Sequence, residues 1–334
     1  MIFKQLIDAE TSTYTYLLAD EWSREAVIID SVTERVERDF QLVTELGLTL
    51  VAVLDTHIHA DHITGSAGLS GKTGATIVVP KGSDVVGADR FVGEGSIIPF
   101  GRQALRVLET PGHTANCISF VLDKQAVFTG DALLIRGTGR TDFQGGDARN
   151  LYNSIQKLFA LPDDLMVYPG HDYNGHTASS IAEEKRYNPR LAGKSEREFV
   201  DLMAQLKLPL PRRIQQSVPA NRICGRVLPG GWEVTPAQVF AHGQDMVLLD
   251  VRSQEEMAGP LGHVAKARWV GGSLKSFAEK VGEKAVVITL CRSGKRSLSA
   301  AVELRKMGLE TVWSMAGGML AWREQQLPVA GGQQ

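Results

Sequence analysis

The stretch "VLDTHIHADHITG", Val53 to Gly65, sets three histidines and two aspartates within eight residues, directly after an apolar run, in a chain that has only eight histidines in 334 residues. The preceding "TLVAVLD" reads as a buried strand, so the cluster is delivered at a strand end. In an extended or turning segment His57 and His59 lie two apart and can point the same way, while Asp61 and His62 follow on the turn. One short loop can therefore present several ligands to one point. Neutral imidazole and carboxylate suit zinc, iron or manganese, and the absence of paired cysteines argues against a structural zinc finger.

Three later places supply further ligands, each after a strand-like run: His113 in "ETPGHTAN", Asp131 in "VFTGDALL" and His171 in "YPGHDYNG". Burying so many polar groups without partners would be costly, so joint use in one centre is the natural reading. Around these motifs the first half alternates strand and helix. "TYTYLLAD", "EAVIIDS", "ATIVVP", "QALRVLE", "CISFVLD" and "QAVFTGD" read as strands, as does the short "LMVYPG". "VERDFQLVTELGL" reads as a helix closing near Gly47, and "DARNLYNSIQKLFAL" as a helix that Asp147 can cap.

After Pro189 the character changes. "SEREFVDLMAQL" opens with a capping box of Ser195 and Glu198, and "KLPLPRRIQQSVPANRICGRVLPGG" follows, rich in proline and basic residues with little periodicity. This predicts a first domain over 1–206, an interdomain linker over 207–231 and a smaller domain over 232–334. In the last part the strands "DMVLLDVR", "AVVITLC" and "TVWSMAG" alternate with the helices "RSLSAAVELRKMGL" and "MLAWREQQ", the pattern of a small parallel sheet.

Length alone favours two domains. A net charge of −2 gives no electrostatic case for nucleic acid or an anionic membrane surface. No apolar stretch approaches the roughly 18 residues of a membrane helix, and the start lacks a basic segment followed by a long apolar run. Cys117, Cys224 and Cys291 are too few and too scattered for a disulfide framework, so a soluble, cytoplasmic protein is expected.

Cys291 differs from the other two. It ends a strand, and a short loop and a helix follow, so loop N–H groups, the helix start and the cations Arg292, Lys295 and Arg296 would all favour a thiolate and hold an anionic sulfur donor. Cys117 and Cys224 read as small buried hydrophobes.

"THIHADH", "PGHT", "TGDAL" and "YPGHDY" resemble the ligand motifs of the metallo-β-lactamase superfamily over about the first 200 residues. The resemblance implies an α/β fold, an αββα sandwich with metal at one edge between two sheets. Within the superfamily, "LLIRGTGRTDFQGGD" and "YPGHDYNGHTASSIAEEKRYNPRL" are similar to the persulfide dioxygenases, which hold one non-haem iron. That likeness implies Fe(II) on His57, His113 and Asp131, a face that leaves positions open. His59, Asp61, His62 and His171 would orient ligands or bind water. Arg140 and Tyr173, with Arg136 and Arg190 as further members, would surround a glutathione site. The same inventory would also suffice for two zinc ions, as in the thioester hydrolases of glyoxalase II type, so the residues alone leave that alternative open.

"VLLDVRSQEEMAGPLGHVAKA", "CRSGKR" and "MAGGMLAW" resemble a rhodanese domain. This implies Cys291 as acceptor of a sulfane sulfur, with Asp250, Arg252 and His263 as structural residues. A phosphatase loop would need arginine six positions after the cysteine, where this chain has Ser297. The expectation for the whole chain is a glutathione persulfide dioxygenase joined to a sulfurtransferase. Its small-molecule partners would be glutathione persulfide, glutathione, thiosulfate and dioxygen, without nucleic acid or membrane, and a homodimer is among the allowed assemblies.

Overall fold

The computed structural model describes the chain except residues 86, 207, 210, 212, 226–232, 243–245, 283–284, 310 and 332–334. It divides into two compact units, Met1–Gly225 and Arg226–Gln334.

In the first unit, β1 (Ile2–Asp8), β2 (Thr13–Ala19), β3 (Glu25–Ile29), β4 (Thr49–Leu54), β5 (Thr76–Pro80) and β6 (Arg90–Val92) lie side by side in chain order. A second sheet contains β7 (Ile97–Phe100), β8 (Gln103–Glu109), β9 (Ile118–Leu122) and β10 (Ala126–Gly130). The hairpin of β11 (Leu133–Leu134) and β12 (Gly137–Thr138) leads to β13 (Met166–Pro169) and β14 (Ser179–Ser180), giving the order β14-β13-β10-β9-β8-β7. The strand pairs β3 with β4 and β10 with β13 are parallel. Each parallel pair therefore brings two carboxyl ends together, and Asp30, the Asp55–His62 loop, Asp131 and His171 all come directly after those ends.

The side-chain alternation of a strand explains the layering. Leu18, Val27, Leu54, Phe100, Val107, Phe120 and Phe128 point between the sheets and form one cluster from both inner faces. Leu17, Ala19, Ile28 and Val53 point outward, against Val43 of α1 (Val36–Glu45) and Leu69 of α2 (Ser66–Thr73). Every residue of β2 is buried because both of its faces are covered. On the other side, Val121, Val127 and Val167 pack against α3 (Ala148–Phe159), α4 (Ile181–Tyr187) and α5 (Glu196–Ala204). The result is the αββα sandwich that the sequence resemblance implies. Asp147 caps α3, accepting from Asn150 N at 2.7 Å, and Ser195 with Glu198 forms the capping box of α5.

The stretch expected as one linker, 207–231, contains a helix. α6 (Ile214–Asn221) belongs to the first unit, and the turn after it stays docked there, with Ala67 N donating to Cys224 O at 3.0 Å. Pro219 within this short helix and its weak hydrophobic periodicity hide it from a sequence reading. Residues 226–231 lie outside the described residues.

The second unit is a parallel sheet in the order β15 (Glu233–Val234), β19 (Thr311–Met315), β18 (Val286–Leu290), β16 (Val247–Asp250), β17 (Arg268–Trp269). Its helices are α7 (Pro236–His242), α8 (Gln254–Ala258), α9 (Leu274–Val281), α10 (Lys295–Lys306) and α11 (Gly318–Glu324). Arg252 and Asp250 are buried together, with Arg252 Nη2 donating to Asp250 at 2.7 Å and to the Gly262 carbonyl at 2.8 Å, as expected for structural residues. Among the described residues no helix is long and apolar enough to cross a membrane.

Phe120 is fully buried in the layer between the two sheets of the first unit. Phe120→Ala should lower the stability of that unit by about 3–5 kcal/mol, read from the shift of its urea midpoint at constant slope.

Candidate metal centre and thiol loop

The site of the first unit begins at Asp30, directly after β3. Its carboxylate accepts from Thr56 N at 2.8 Å and from the Thr56 hydroxyl at 2.9 Å. Because that hydroxyl proton goes to Asp30, the 2.9 Å contact between Thr56 Oγ1 and His57 Nδ1 has the ring nitrogen as donor. His57 Nε2 is then the atom with a free lone pair, the tautomer a metal ligand needs. His113 is arranged alike: Nδ1 donates to the Arg140 carbonyl at 2.8 Å, and Nε2 lies 3.6 Å from Asp131 Oδ2. One ligand atom each from His57, His113 and Asp131 lies within 4.8 Å of the others.

Burial first, and then the neighbouring His59 and His113, depress the pKa of His57 far below its ordinary value, so the ring is neutral. Burial works against the Asp131 carboxylate, but His171, His113 and His57 outweigh it and hold its pKa below the usual carboxylate range. A neutral imidazole beside an ionised carboxylate is the pairing of protonation states that metal binding requires.

His59, Asp61 and His62 form a second group with the same mutual reach. His59 Nε2 meets Asp30 at 3.2 Å and His62 Nδ1 meets Asp61 at 3.0 Å. Their other ring nitrogens, His59 Nδ1 and His62 Nε2, are buried without a hydrogen-bond partner among the described residues. A buried polar atom left alone costs about 1–3 kcal/mol, which a metal ion or a water would offset. His171 joins the two groups, with Nδ1 2.7 Å from Asp131 and Nε2 2.8 Å from Asp61. Burial lowers the pKa of His171, but the two carboxylates raise it well above the ordinary value. The donor set fits a metal ion, and all seven sequence-predicted metal-centre residues meet here.

The local backbone is shaped for close approach. Gly112 has φ +135°, and a Cβ there would lie 2.2 Å from Leu151 N, so the turn before His113 can lie on the start of α3 only as glycine. A Cβ on Gly139 would lie 2.2 Å from the Asp131 carbonyl and 2.8 Å from His113 Nδ1.

A cleft of about 600 Å³ opens beside the centre, and Arg136, Arg140, Tyr173 and Arg190 all line it. Their guanidinium groups are not equally available. Arg140 is paired side-on with Asp142, both contacts at 2.6 Å, and also reaches the Leu208 carbonyl at 3.1 Å. Arg136 is held by Glu183 and Glu184. Arg190 has no carboxylate partner among the described residues; its Nη1 donates to the Thr138 carbonyl at 2.7 Å, and burial lowers its pKa. The exposed Tyr173 ring is parallel to that of His171, with centroids 6.0 Å apart.

Sequence reasoning missed several supports. Asp30 and Asp55 carry the same strand-end signal as Asp131, in "AVIIDS" and "VLDTH". Asp55 accepts from Thr64 and Ser66, and burial with the Asp30 charge pushes its pKa up to about 6 against the lowering by His59. Asn221 had no signal, standing in a segment without periodicity.

In the second unit, Cys291 follows β18 and α10 begins four residues later. The buried Sγ accepts from Gly294 N at 3.2 Å and the Ser297 hydroxyl at 3.3 Å. Burial alone would raise the thiol pKa, but Ser297 and the loop N–H groups bring it below the ordinary value. Arg292 and Lys295 are exposed without an ion pair among the described residues, whereas Arg296 is held side-on by Glu256 at 2.6 and 2.8 Å. Arg296 in turn lowers the Glu256 pKa to about 2. Cys117 and Cys224 are buried, and burial pushes the Cys117 thiol up to about 12.

Both folds have known counterparts. The metallo-beta-lactamase superfamily matches residues 9–171 and the rhodanese-like domain residues 237–325, so the two domain types share one chain. The mitochondrial persulfide dioxygenase ETHE1 of Homo sapiens is 50% identical over 228 residues, 67% of this chain and 89% of that protein. The crystal structure of ETHE1 from Myxococcus xanthus matches at 56% identity with a TM-score of 0.66, over 68% of this chain and all of that one. A metallo-beta-lactamase structure from Staphylococcus aureus matches at 25% identity and a TM-score of 0.63, over 95% of this chain and 98% of its own. The chain belongs to the persulfide dioxygenase family, with a rhodanese-like domain joined to it.

Gly139→Ala should reduce the metal bound per purified chain several-fold while leaving the Cys291 thiol reactive, checked by elemental analysis and alkylation. Ser297→Ala removes a donor to the sulfur, so the pH midpoint of Cys291 alkylation should move upward.

Proposed function

We propose that the first unit is a glutathione persulfide dioxygenase with one ferrous ion, and that the second moves sulfane sulfur between thiosulfate and glutathione through Cys291. The observation that carries the reading is the triad of His57, His113 and Asp131, with ligand atoms within 4.8 Å and tautomers that leave both Nε2 atoms free. The identity to persulfide dioxygenases supports it over a two-zinc thioester hydrolase.

His57, His113 and Asp131 would hold the iron, which would supply the electron-transfer chemistry between a persulfide sulfur and dioxygen. The chain's own residues do the rest. Thr56, the Arg140 carbonyl and His171 fix the two imidazoles and the carboxylate in position. Arg190, with no acidic partner among the described residues, suits a carboxylate of glutathione, and the Tyr173 ring offers a flat wall near the centre. Arg140 and Arg136, already paired with acids, shape the cleft. The overall change is glutathione persulfide, dioxygen and water to sulfite and glutathione.

In the second unit the Cys291 thiolate attacks the outer sulfur of thiosulfate, the sulfur–sulfur bond breaks, and sulfite leaves with the electron pair. Arg292 and Lys295 are exposed, have no ion pair among the described residues, and suit the dianion. A glutathione thiolate then takes the outer sulfur from the Cys291 persulfide, forming glutathione persulfide. This product is the substrate of the first unit, and metabolite levels set the direction.

Metal analysis of chain purified without added metal, joined to oxygen uptake with glutathione persulfide, tests the reading. About one iron per chain, with uptake that tracks iron, is expected; two zinc ions and no uptake after anaerobic ferrous loading would favour the hydrolase. Asp131→Ala should abolish uptake and retain thiosulfate sulfurtransfer, and Cys291→Ser should do the reverse. Equal loss of both activities in either variant would contradict separate sites.

A further inference from the structure

We infer that Asn221 is a positioning residue for the metal loop, acting through the backbone of residues 59–64 and without touching substrate or metal. It is the last residue of α6 and is buried. Its Nδ2 donates to the carbonyls of His59 and His62, each at 2.8 Å, and its Oδ1 accepts from Thr64 N at 2.8 Å. The two carbonyls bracket Asp61, so one carboxamide fixes the peptide path that presents His59, Asp61 and His62.

The chemistry selects asparagine. Two carbonyls must be met by donors and one N–H by an acceptor, within the span of a short planar group. Aspartate has nearly the same shape but would turn a second acceptor toward the carbonyls, and alanine would leave three buried backbone groups without a partner. The contact is reinforced on both sides. Thr64 also donates its hydroxyl to Asp55 at 2.8 Å, which ties the end of the loop to its beginning. Past Asn221, the chain packs so closely that a Cβ on Gly225 would lie 1.8 Å from the Thr64 carbonyl. The loop is therefore closed on itself by Asp55 and held from outside by α6. Asn221 and Gly225, which hold the loop from outside, both lie beyond the superfamily match, which ends at residue 171.

The inference rests on the metal reading above, so its test begins with the unaltered full-length chain. Ferrous affinity is measured by chelator competition, and the cobalt-loaded absorption spectrum reports ligand geometry. Asn221→Asp and Asn221→Ala are then compared, with the circular dichroism melt as the measure of folding and Cys291 alkylation as the control on the second unit. Metal affinity should fall about 10- to 100-fold in both, with an altered cobalt spectrum in protein that is folded at the assay temperature. Folded variants with unaltered affinity and spectrum overturn the inference alone. Unfolding of both assigns Asn221 to the fold instead and also overturns it. An unaltered chain that binds no ferrous ion overturns the functional reading, and the positioning role with it.

Discussion

The carboxylate of Asp30 joins the sheet to the centre. It stands where β3 ends, in a left-handed conformation with φ +50° that aspartate tolerates better than most residues. From there it accepts from Thr56 N, from the Thr56 hydroxyl and from His59. One acceptor group thus settles the direction of the Thr56 proton, the tautomer of His57 and the orientation of His59. Without it the loop after β4 would carry several polar groups into a buried setting with no fixed arrangement, and the cost of burial would favour a different path for the chain.

The first unit repeats this economy at its other strand ends. His171 spans Asp131 and Asp61, so two parallel strand ends in one sheet are linked to the loop of the other. The aromatic and branched side chains between the sheets hold the strands rigidly enough for such contacts to persist.

Much of this was legible in the sequence because strand ends announce themselves: an apolar run stops, and a polar residue with ligand chemistry follows. The runs before Asp30, Asp55 and Asp131 all have this form, and the seven residues read as candidates for a metal centre lie close together. The capping residues Asp147, Ser195 and Glu198 were equally readable, since capping depends on a few consecutive residues. The partners of long side chains were not. Arg140 and Arg296 read as cations waiting for an anion, yet Asp142 and Glu256 already hold them, and nothing in local spacing sets Arg296 against an acid 40 residues earlier. Helix α6 escaped for another reason: it contains Pro219 and lacks an amphipathic stripe, and the hydrogen bonds that Asn221 makes to the metal loop leave no mark in local spacing.

The division of the chain at Gly225 and Arg226 bears on how such a fusion can be recombined. A joint chosen by composition would fall in the proline-rich stretch near residue 207, and a graft made there would carry α6 away with the wrong partner. The seam compatible with the contacts comes after the Thr64 docking turn. Shuffling of rhodanese-like modules onto this scaffold, by evolution or by cloning, is thereby confined to exchange points downstream of that turn.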